Sequence, residues 1–408
     1  MSATSTQIFR HQPLKLLYLT YVVSLLLFVK LPLWSLICLV PAFRPCSSWT
    51  YARALSVKVF RVLVNAVFAT ASFNSLRVDP RSLAKDAEKY GMVWMDATPD
   101  LVVGEVKKAA ETNKISAVPV AGYWYGKRDP VTSLAGQPAG PNERVILQLH
   151  SGGWVLGDAS PTGLGAALCN EMLQFFPEFS RLLSVEYRLS QGPPLPVENP
   201  FPAALIDAVA AYNYLVNDCG FKPTNILVMG DSAGGNLALA LGRYLVVAGL
   251  PSVPPPGGLF LMSPSGDWGR SHDRPGSSIE LAQTTDWVQG FVAGYCTGAL
   301  LGHLPASDAE TNAWISPSSL DLPKVEGLFR GLPPTLILTG GAEMTLDQMK
   351  TLRDRMRADM GEDKVMYVEV PDGTHVLLSL PWHEQEKRLA YKEVGQWMKA
   401  VFSELWSQ

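Results

Sequence analysis

Charge is scarce in this 408-residue chain, where Asp, Glu, Lys and Arg together make only 17%. Hydrophobic residues make 47%, which supplies apolar surface for a core and argues against a disordered chain. Neither sign of charge dominates: 34 basic residues face 37 acidic ones, and a net charge of −3 gives no electrostatic footprint for nucleic acid. Cysteine is sparse as well. The five, at positions 38, 46, 169, 219 and 296, are odd in number and widely scattered, and none falls in a zinc-type Cys/His spacing. That argues against a disulfide scaffold. There is no Asn-x-Ser/Thr acceptor, so glycosylation gives no clue to a lumenal location. Internal repeats and low-complexity tracts are also missing. What remains is a length that suits one large α/β domain plus an appendage.

The appendage is N-terminal. Leu16 to Val29 is an uncharged apolar run, broken at Lys30 and Pro32 and resumed from Leu33 to Phe43. The first run alone is shorter than the roughly 20 residues of a spanning helix. Taken whole, the region is long enough if Lys30 snorkels toward an interface. Arg10, His11 and Lys15 precede it and Arg44, Arg53, Lys58 and Arg61 follow, so charge does not orient it. A cleaved signal and a buried core helix are the rival readings; no small-x-small site closes the run. Val57 to Phe73 reads as an amphipathic helix lying on a membrane or on the rest of the protein.

Beyond it, short buried strands alternate with helices. Strands are expected at Ala117 to Tyr125, Val145 to Leu149, Leu182 to Glu186, Ile226 to Met229, Leu259 to Met262, Thr335 to Leu338 and Val365 to Val370. Helices are expected at Phe201 to Val216, Ala233 to Val247, Thr345 to Met360 and Glu384 to Leu405, with a turn-rich break at Gly136 to Pro141. This pattern predicts an α/β fold with a mostly parallel sheet covered on both faces.

One motif carries chemistry. Gly230-Asp231-Ser232-Ala233-Gly234 fits Gly-x-Ser-x-Gly and lies between a buried strand and a helix, the context in which a serine is strained and its hydroxyl presented. The plain alternative is a helix N-cap serine. Upstream, His150-Ser151-Gly152-Gly153-Trp154 follows a strand, and its glycines can aim N–H groups at an oxyanion, with the N–H of Ala233 as a third donor. The plain alternative there is a glycine turn. Of six histidines, His375 follows the strand Val365 to Val370 and is the expected base; His383, beyond Pro381, is the competitor. The expected acid is Glu343, just past the strand at 335, with Asp347 as a helix cap or loop support. The order Ser, Glu, His is that of the α/β-hydrolase fold.

At this point the residues resemble a family. Together with the motifs above, Tyr187-Arg188-Leu189, Phe201-Pro202-Ala203-Ala204, Gly235-Asn236, Pro333-Pro334-Thr335 and Gly373-Thr374-His375 are similar to the hormone-sensitive-lipase-like α/β-hydrolases, over Val145 to His375. The resemblance implies a Ser232 nucleophile with His375 and Glu343, oxyanion donors at Gly152, Gly153 and Ala233, supporting roles for His150, Asp231 and Asp347, and ester hydrolysis without metal or organic cofactor. The N-terminus narrows it toward fungal steryl acetyl hydrolases and similar proteins of secondary metabolism. That implies a lipophilic ester substrate, a helical cap, and single-pass or monotopic attachment to a membrane, with the endoplasmic reticulum expected. Three features depart from the family: Ser151 stands where glycine is usual, the acid is Glu, and Pro193, Pro194, Pro196 and Pro200 stiffen an enlarged loop expected to reshape the pocket.

The expected division is 1–75 for attachment and 76–408 for catalysis, with a cap at about 263–332. Trp268, Trp287, Phe291, Tyr295 and Trp314 of the cap suit either a pocket for a bulky apolar substrate or the cap's own small core. Two functions besides hydrolysis fit the same fold: a biosynthetic cyclase or acyl transferase, and a ligand receptor, which the retained Ser232 and His375 disfavour.

Overall fold

The computed structural model describes residues 7–73, 79–129, 131–132 and 134–403. Eight strands form one sheet: β1 (Met92–Met95), β2 (Val120–Gly126), β3 (Arg144–Leu149), β4 (Phe179–Glu186), β5 (Ile226–Asp231), β6 (Gly258–Met262), β7 (Thr335–Gly340) and β8 (Val365–Val370). Their order is β1-β2-β4-β3-β5-β6-β7-β8. The pairings β1–β2 and β2–β4 are antiparallel, so β2 alone runs against the rest; β3 to β8 are mutually parallel.

The central strands read as unbroken apolar runs because both faces are covered. Side chains alternate between two layers. Val145, Leu147, Ile226, Val228, Leu259 and Leu261 enter one core, while Ile146, Leu227, Met229, Phe260 and Met262 enter the other. The longer helices are α1 (Leu14–Ile37), α2 (Tyr51–Ala69), α3 (Gly104–Asn113), α4 (Ala166–Phe175), α5 (Ala203–Asn213), α6 (Ala233–Ala248), α7 (Tyr295–Leu301), α8 (Leu346–Met360) and α9 (Glu384–Ser403). Helices α5 and α6 pack in the first layer, and α4 and α9 in the second.

The expected strands and helices all appear, with shifted ends; Leu405, the expected end of α9, lies outside the described residues. Ala117 to Tyr125 becomes β2, which lies inside the sheet because the four-residue β1 covers it. Strand β1 and helices α3 and α4 were not anticipated. Residues 263–334, between β6 and β7, hold α7 and short helical turns, including Ser278–Leu281 and Val288–Ala293.

The N-terminal half differs most from expectation. Lys30 and Pro32 do not interrupt the apolar run, because α1 passes through both. A wide turn at Leu26–Lys30 directs the Leu31 N–H to the Leu26 carbonyl, five residues back, so the ladder is already re-registered where the proline lacks a donor. Among the described residues, α1 is the one helix long and apolar enough to cross a membrane. The amphipathic segment, now α2, lies on the body of the α/β fold. Thr50 caps it by accepting from the Arg53 N–H at 3.2 Å, Arg53 pairs with Glu386 at 2.5 Å, and the buried Trp49 donates Nε1–H to the Asp372 carbonyl at 2.9 Å.

The turn after β5 sets the tightest constraint. A Cβ on Gly230 would sit 2.1 Å from the Gly234 carbonyl oxygen, and one on Gly234 would sit 2.0 Å from the Leu149 oxygen. Gly234→Ala is therefore expected to abolish or strongly reduce recovery of folded protein. Gly298→Ala, where a Cβ meets nothing within 4 Å inside α7, should be neutral or raise stability by about 0.5–1 kcal/mol. Thermal melts of the two variants against the parent check both.

Candidate active site

Strand β5 ends at Asp231, and the next residue, Ser232, has φ 56° and ψ −119°. A non-glycine residue in this region is strained and survives only where its surroundings hold it. Here the Ser232 N–H donates to the Met262 carbonyl at 2.9 Å, and the Ser232 carbonyl accepts from the N–H groups of Asn236 and Ser265, each at 3.1 Å. Asn236 then donates to the Ser265 and Ile315 carbonyls at 2.7 and 2.9 Å, which locks the first turn of α6.

Two other strand ends deliver the partners. The loops after β7 and β8 are bonded to each other, with the Gly341 N–H on the Val370 carbonyl at 2.8 Å and the Ala342 N–H on the Gly373 carbonyl at 2.9 Å. One loop carries Glu343 and the other His375. His375 Nε2 lies 2.8 Å from Ser232 Oγ, and its Nδ1 lies 2.8 Å from Glu343 Oε2. All three side chains are buried. The other Glu343 oxygen accepts from the Ser263 hydroxyl at 2.7 Å and the Gly340 N–H at 2.6 Å. Glutamate reaches His375 because these donors fix its longer side chain.

His383, the competing base, sits behind this chain. Its Nε2 is 2.8 Å from Thr374 Oγ1, and burial pushes its pKa down to about 3, so it is a neutral prop under the His375 loop. Asp347 lies in the first turn of α8. It accepts from the Ser278 N–H at 2.8 Å and so tethers the cap insert rather than His375. His150 stacks on Tyr187 with ring centroids 4.1 Å apart, and Tyr187 donates to the His150 carbonyl at 2.6 Å. Burial pushes the His150 pKa down to about 4, so it too is neutral.

Gly152 (φ 123°) and Gly153 (φ 61°) both need glycine; a Cβ on Gly152 would lie 1.8 Å from the Leu156 oxygen. Neither their N–H groups nor that of Ala233 has a protein acceptor among the described residues. Asp231 lies beside them, pushed up to about 6 by burial and held from rising further by the Ser151 side chain and by His375. The unusual serine thus serves its neighbouring carboxylate.

Sequence reasoning missed Asp286. This fully buried residue of the insert accepts from the Met344 N–H at 2.8 Å, the Trp287 N–H at 2.8 Å and the His375 N–H at 3.3 Å. It joins the cap, the acid loop and the histidine loop. Nothing in its local sequence, Thr285-Asp286-Trp287, distinguishes it from a surface turn. Burial pushes its pKa up to about 6, opposed by His375. For His375, burial favours the neutral ring, but Glu343, Asp286 and Asp231 outweigh it and the net pKa is raised.

Ser232 and His375 open into a cavity of about 1510 Å³, larger than the roughly 300–1,000 Å³ of most small-molecule pockets. Its walls come from α2 (Phe60, Leu63, Val64, Val67 and Phe68) and from the insert. The five cap aromatics divide between the two readings. Trp268, Trp287 and Phe291 line the cavity, whereas Tyr295 packs on Phe73 and Trp314 on Tyr244. The proline-rich loop does not reshape this pocket, since none of residues 190–200 lines it; Gly192 packs against Ala299 of α7.

A parallel sheet with a strained serine after β5, and histidine and carboxylate on later loops, defines an α/β-hydrolase architecture. Residues 146–379 match the family model described as alpha/beta hydrolase fold. The chain belongs to that family. It is 30% identical over 277 residues to an acetyl-hydrolase of Streptomyces hygroscopicus, spanning 66% of this chain and 79% of that protein. An esterase/lipase from an uncultured bacterium superposes with a TM-score of 0.54 at 26% identity, covering 84% of this chain and 98% of its own. An esterase from the bacterial hormone-sensitive lipase family shares the fold, with a TM-score of 0.54 at 22% identity over 91% of this chain and 98% of its own.

Asp286→Asn leaves one of three buried N–H donors poorly matched, which is expected to cost about 1–3 kcal/mol in a denaturant or thermal melt. Removing its charge also lowers the His375 pKa, so the acidic limb of any His375-dependent activity should move to lower pH.

Proposed function

We propose that the chain is a carboxylic ester hydrolase in which Ser232 attacks the acyl carbon, His375 takes the serine proton, and Glu343 holds the imidazole and stabilises its charged form. The observation that carries this reading is the unbroken Ser232–His375–Glu343 hydrogen-bond chain at the floor of a large cavity. The N–H groups of Gly152, Gly153 and Ala233 receive the oxyanion. As the tetrahedral adduct collapses, His375 returns the proton to the departing alcohol; water, activated by the same histidine, then frees the acid from the acyl-enzyme. Asp231 and His150 support the floor of this site. The reaction needs no metal and no organic cofactor.

The substrate is a short-chain ester, acetyl by likeness to the acetyl-hydrolase, of a lipophilic alcohol such as a sterol or secondary metabolite. The cavity's size and its lining by Phe60, Leu63, Val67, Trp287 and Phe291 support the bulky apolar alcohol. On this reading residues 1–75 attach the protein to a membrane, 76–408 carry catalysis and 263–332 form the cap, although α2 belongs to both functions. The endoplasmic reticulum is assigned from the resemblance alone.

Fluorophosphonate labelling tests the chemistry. The parent should label, Ser232→Ala should not, and His375→Ala should label far more slowly. Turnover of an acetyl ester should fall on the order of 10⁴–10⁶-fold in either variant. Absence of labelling in folded parent protein would move the weight to a non-hydrolytic biosynthetic or receptor role. Because Glu343 raises the His375 pKa and the base must be neutral to act, Glu343→Gln should shift the acidic limb of kcat/KM to lower pH while lowering its plateau.

A further inference from the structure

Helix α1 does not stand away from the body. Its exposure is periodic: Tyr18, Val22, Leu25, Leu26, Trp34 and Cys38 form a covered or half-covered stripe at helical spacing. Leu17, Tyr21, Phe28 and Leu36, on the other side, are 62%, 61%, 78% and 68% exposed. The wide turn at Leu26–Lys30 keeps the covered stripe facing inward along the whole length. Both ends touch the same body. The Arg10 guanidinium lies 5.1 Å over the Tyr295 ring, beside Phe73 just past α2. At the other end Lys58 of α2 lies 5.6 Å over the Trp34 ring, and Cys38 packs with Trp49, Ala54 and Val57. Helix α1 therefore runs antiparallel along α2, with its midpoint, Leu26, covered at 6% exposure. A helix about 36 Å long that crossed a bilayer would carry its midpoint away from the body and place one end on the far side.

The chemistry of the segment fits one partner. The first 78 residues contain no Asp or Glu, while Lys15 and Lys30 lie on α1 and Arg44 just beyond its end. An apolar stripe flanked only by cations suits an anionic lipid surface. We infer that α1 lies in the plane of one leaflet, its exposed apolar face among the acyl chains, so that the protein is monotopic with both termini on the same side. Helix α2 then rests on α1 with its far side walling the cavity, and the cavity's exposed apolar lip, Leu63, Val292 and Leu164, meets the bilayer. The inference rests on the proposed membrane attachment but not on ester hydrolysis.

The test uses the full chain tagged at both termini in sealed microsomes. Protease added outside should digest both tags or spare both; opposite fates would establish a spanning helix and overturn the inference. Purified full-length protein should float with phosphatidylcholine vesicles, and more strongly when phosphatidylserine is included. Failure to float with either, or a soluble dimer that ignores vesicles, would also overturn it, the dimer assigning the apolar face to a second copy. Leu17→Glu with Phe28→Glu should release the protein from vesicles while leaving hydrolysis of water-soluble p-nitrophenyl acetate intact, since neither residue lines the cavity. Lack of that hydrolysis in the parent, with flotation and topology as expected, would sink the esterase reading and leave this one standing.

Discussion

The close approach of β5 to α6 is the constraint on which the site depends. The chain reverses from a buried strand into a buried helix within a single residue, Ser232, whose φ of 56° costs of order 1–3 kcal/mol. Glycines 230 and 234 let the backbones touch, and the hydrogen bonds of Ser232 and Asn236 to the loop after β6 hold the strained conformation closed. The strain lifts a hydroxyl clear of its own backbone, within 2.8 Å of an imidazole carried by a loop 143 residues away. A relaxed N-cap geometry would have turned that hydroxyl back onto the helix N–H groups.

Electrostatics around His375 follow from burial in a parallel-sheet fold. The ends of β5, β7 and β8 converge, and with the insert they bring three carboxylates, Glu343, Asp286 and Asp231, around one ring. Carboxylates at such depth are costly unless they are hydrogen-bonded or uncharged. Glu343 and Asp286 collect backbone and hydroxyl donors, while Asp231 and Asp286 also drift toward the neutral form, each to about 6. The arrangement is strongest when His375 is charged, which on the proposed mechanism is when the serine has given up its proton. Asp286 adds a mechanical role, because one carboxylate pins the cap to both catalytic loops.

Much of this was legible in the sequence because it rests on local pattern. Apolar runs ending in glycine marked β3, β5 and β7, and the strand-to-helix context turned Gly-x-Ser-x-Gly from a common string into a specific site. Position along the chain separated His375 from His383; in the structure His383 is bonded to Thr374 instead of to a carboxylate. Contacts across long sequence distances were not legible. Asp286 looks like any polar turn residue until the insert folds over β8. Tyr295 and Trp314 share their composition with Trp287 yet pack elsewhere. Pro32 looked like a break because the five-residue turn that accommodates it leaves no mark in the apolar pattern. The proline-rich loop looked like pocket wall because its packing against α7 depends on tertiary contacts.

Helix α2 joins the two halves of the molecule. Its first turn is fastened by Arg53 to α9 and by the neighbouring Trp49 to the loop that carries His375, and its later turns supply Phe60, Leu63, Val64, Val67 and Phe68 to the cavity. Outside it lies the apolar length of α1. Removing residues 1–75 would therefore open one cavity wall and expose the apolar side of the insert and, on the proposed reading, detach the membrane segment. On the proposed reading the two losses are linked for a lipophilic ester, because the wall facing the alcohol would also be the layer between the bilayer and Ser232. On that reading the attachment segment is part of the pocket, and substrate selection draws on an element that the family match at residues 146–379 does not reach.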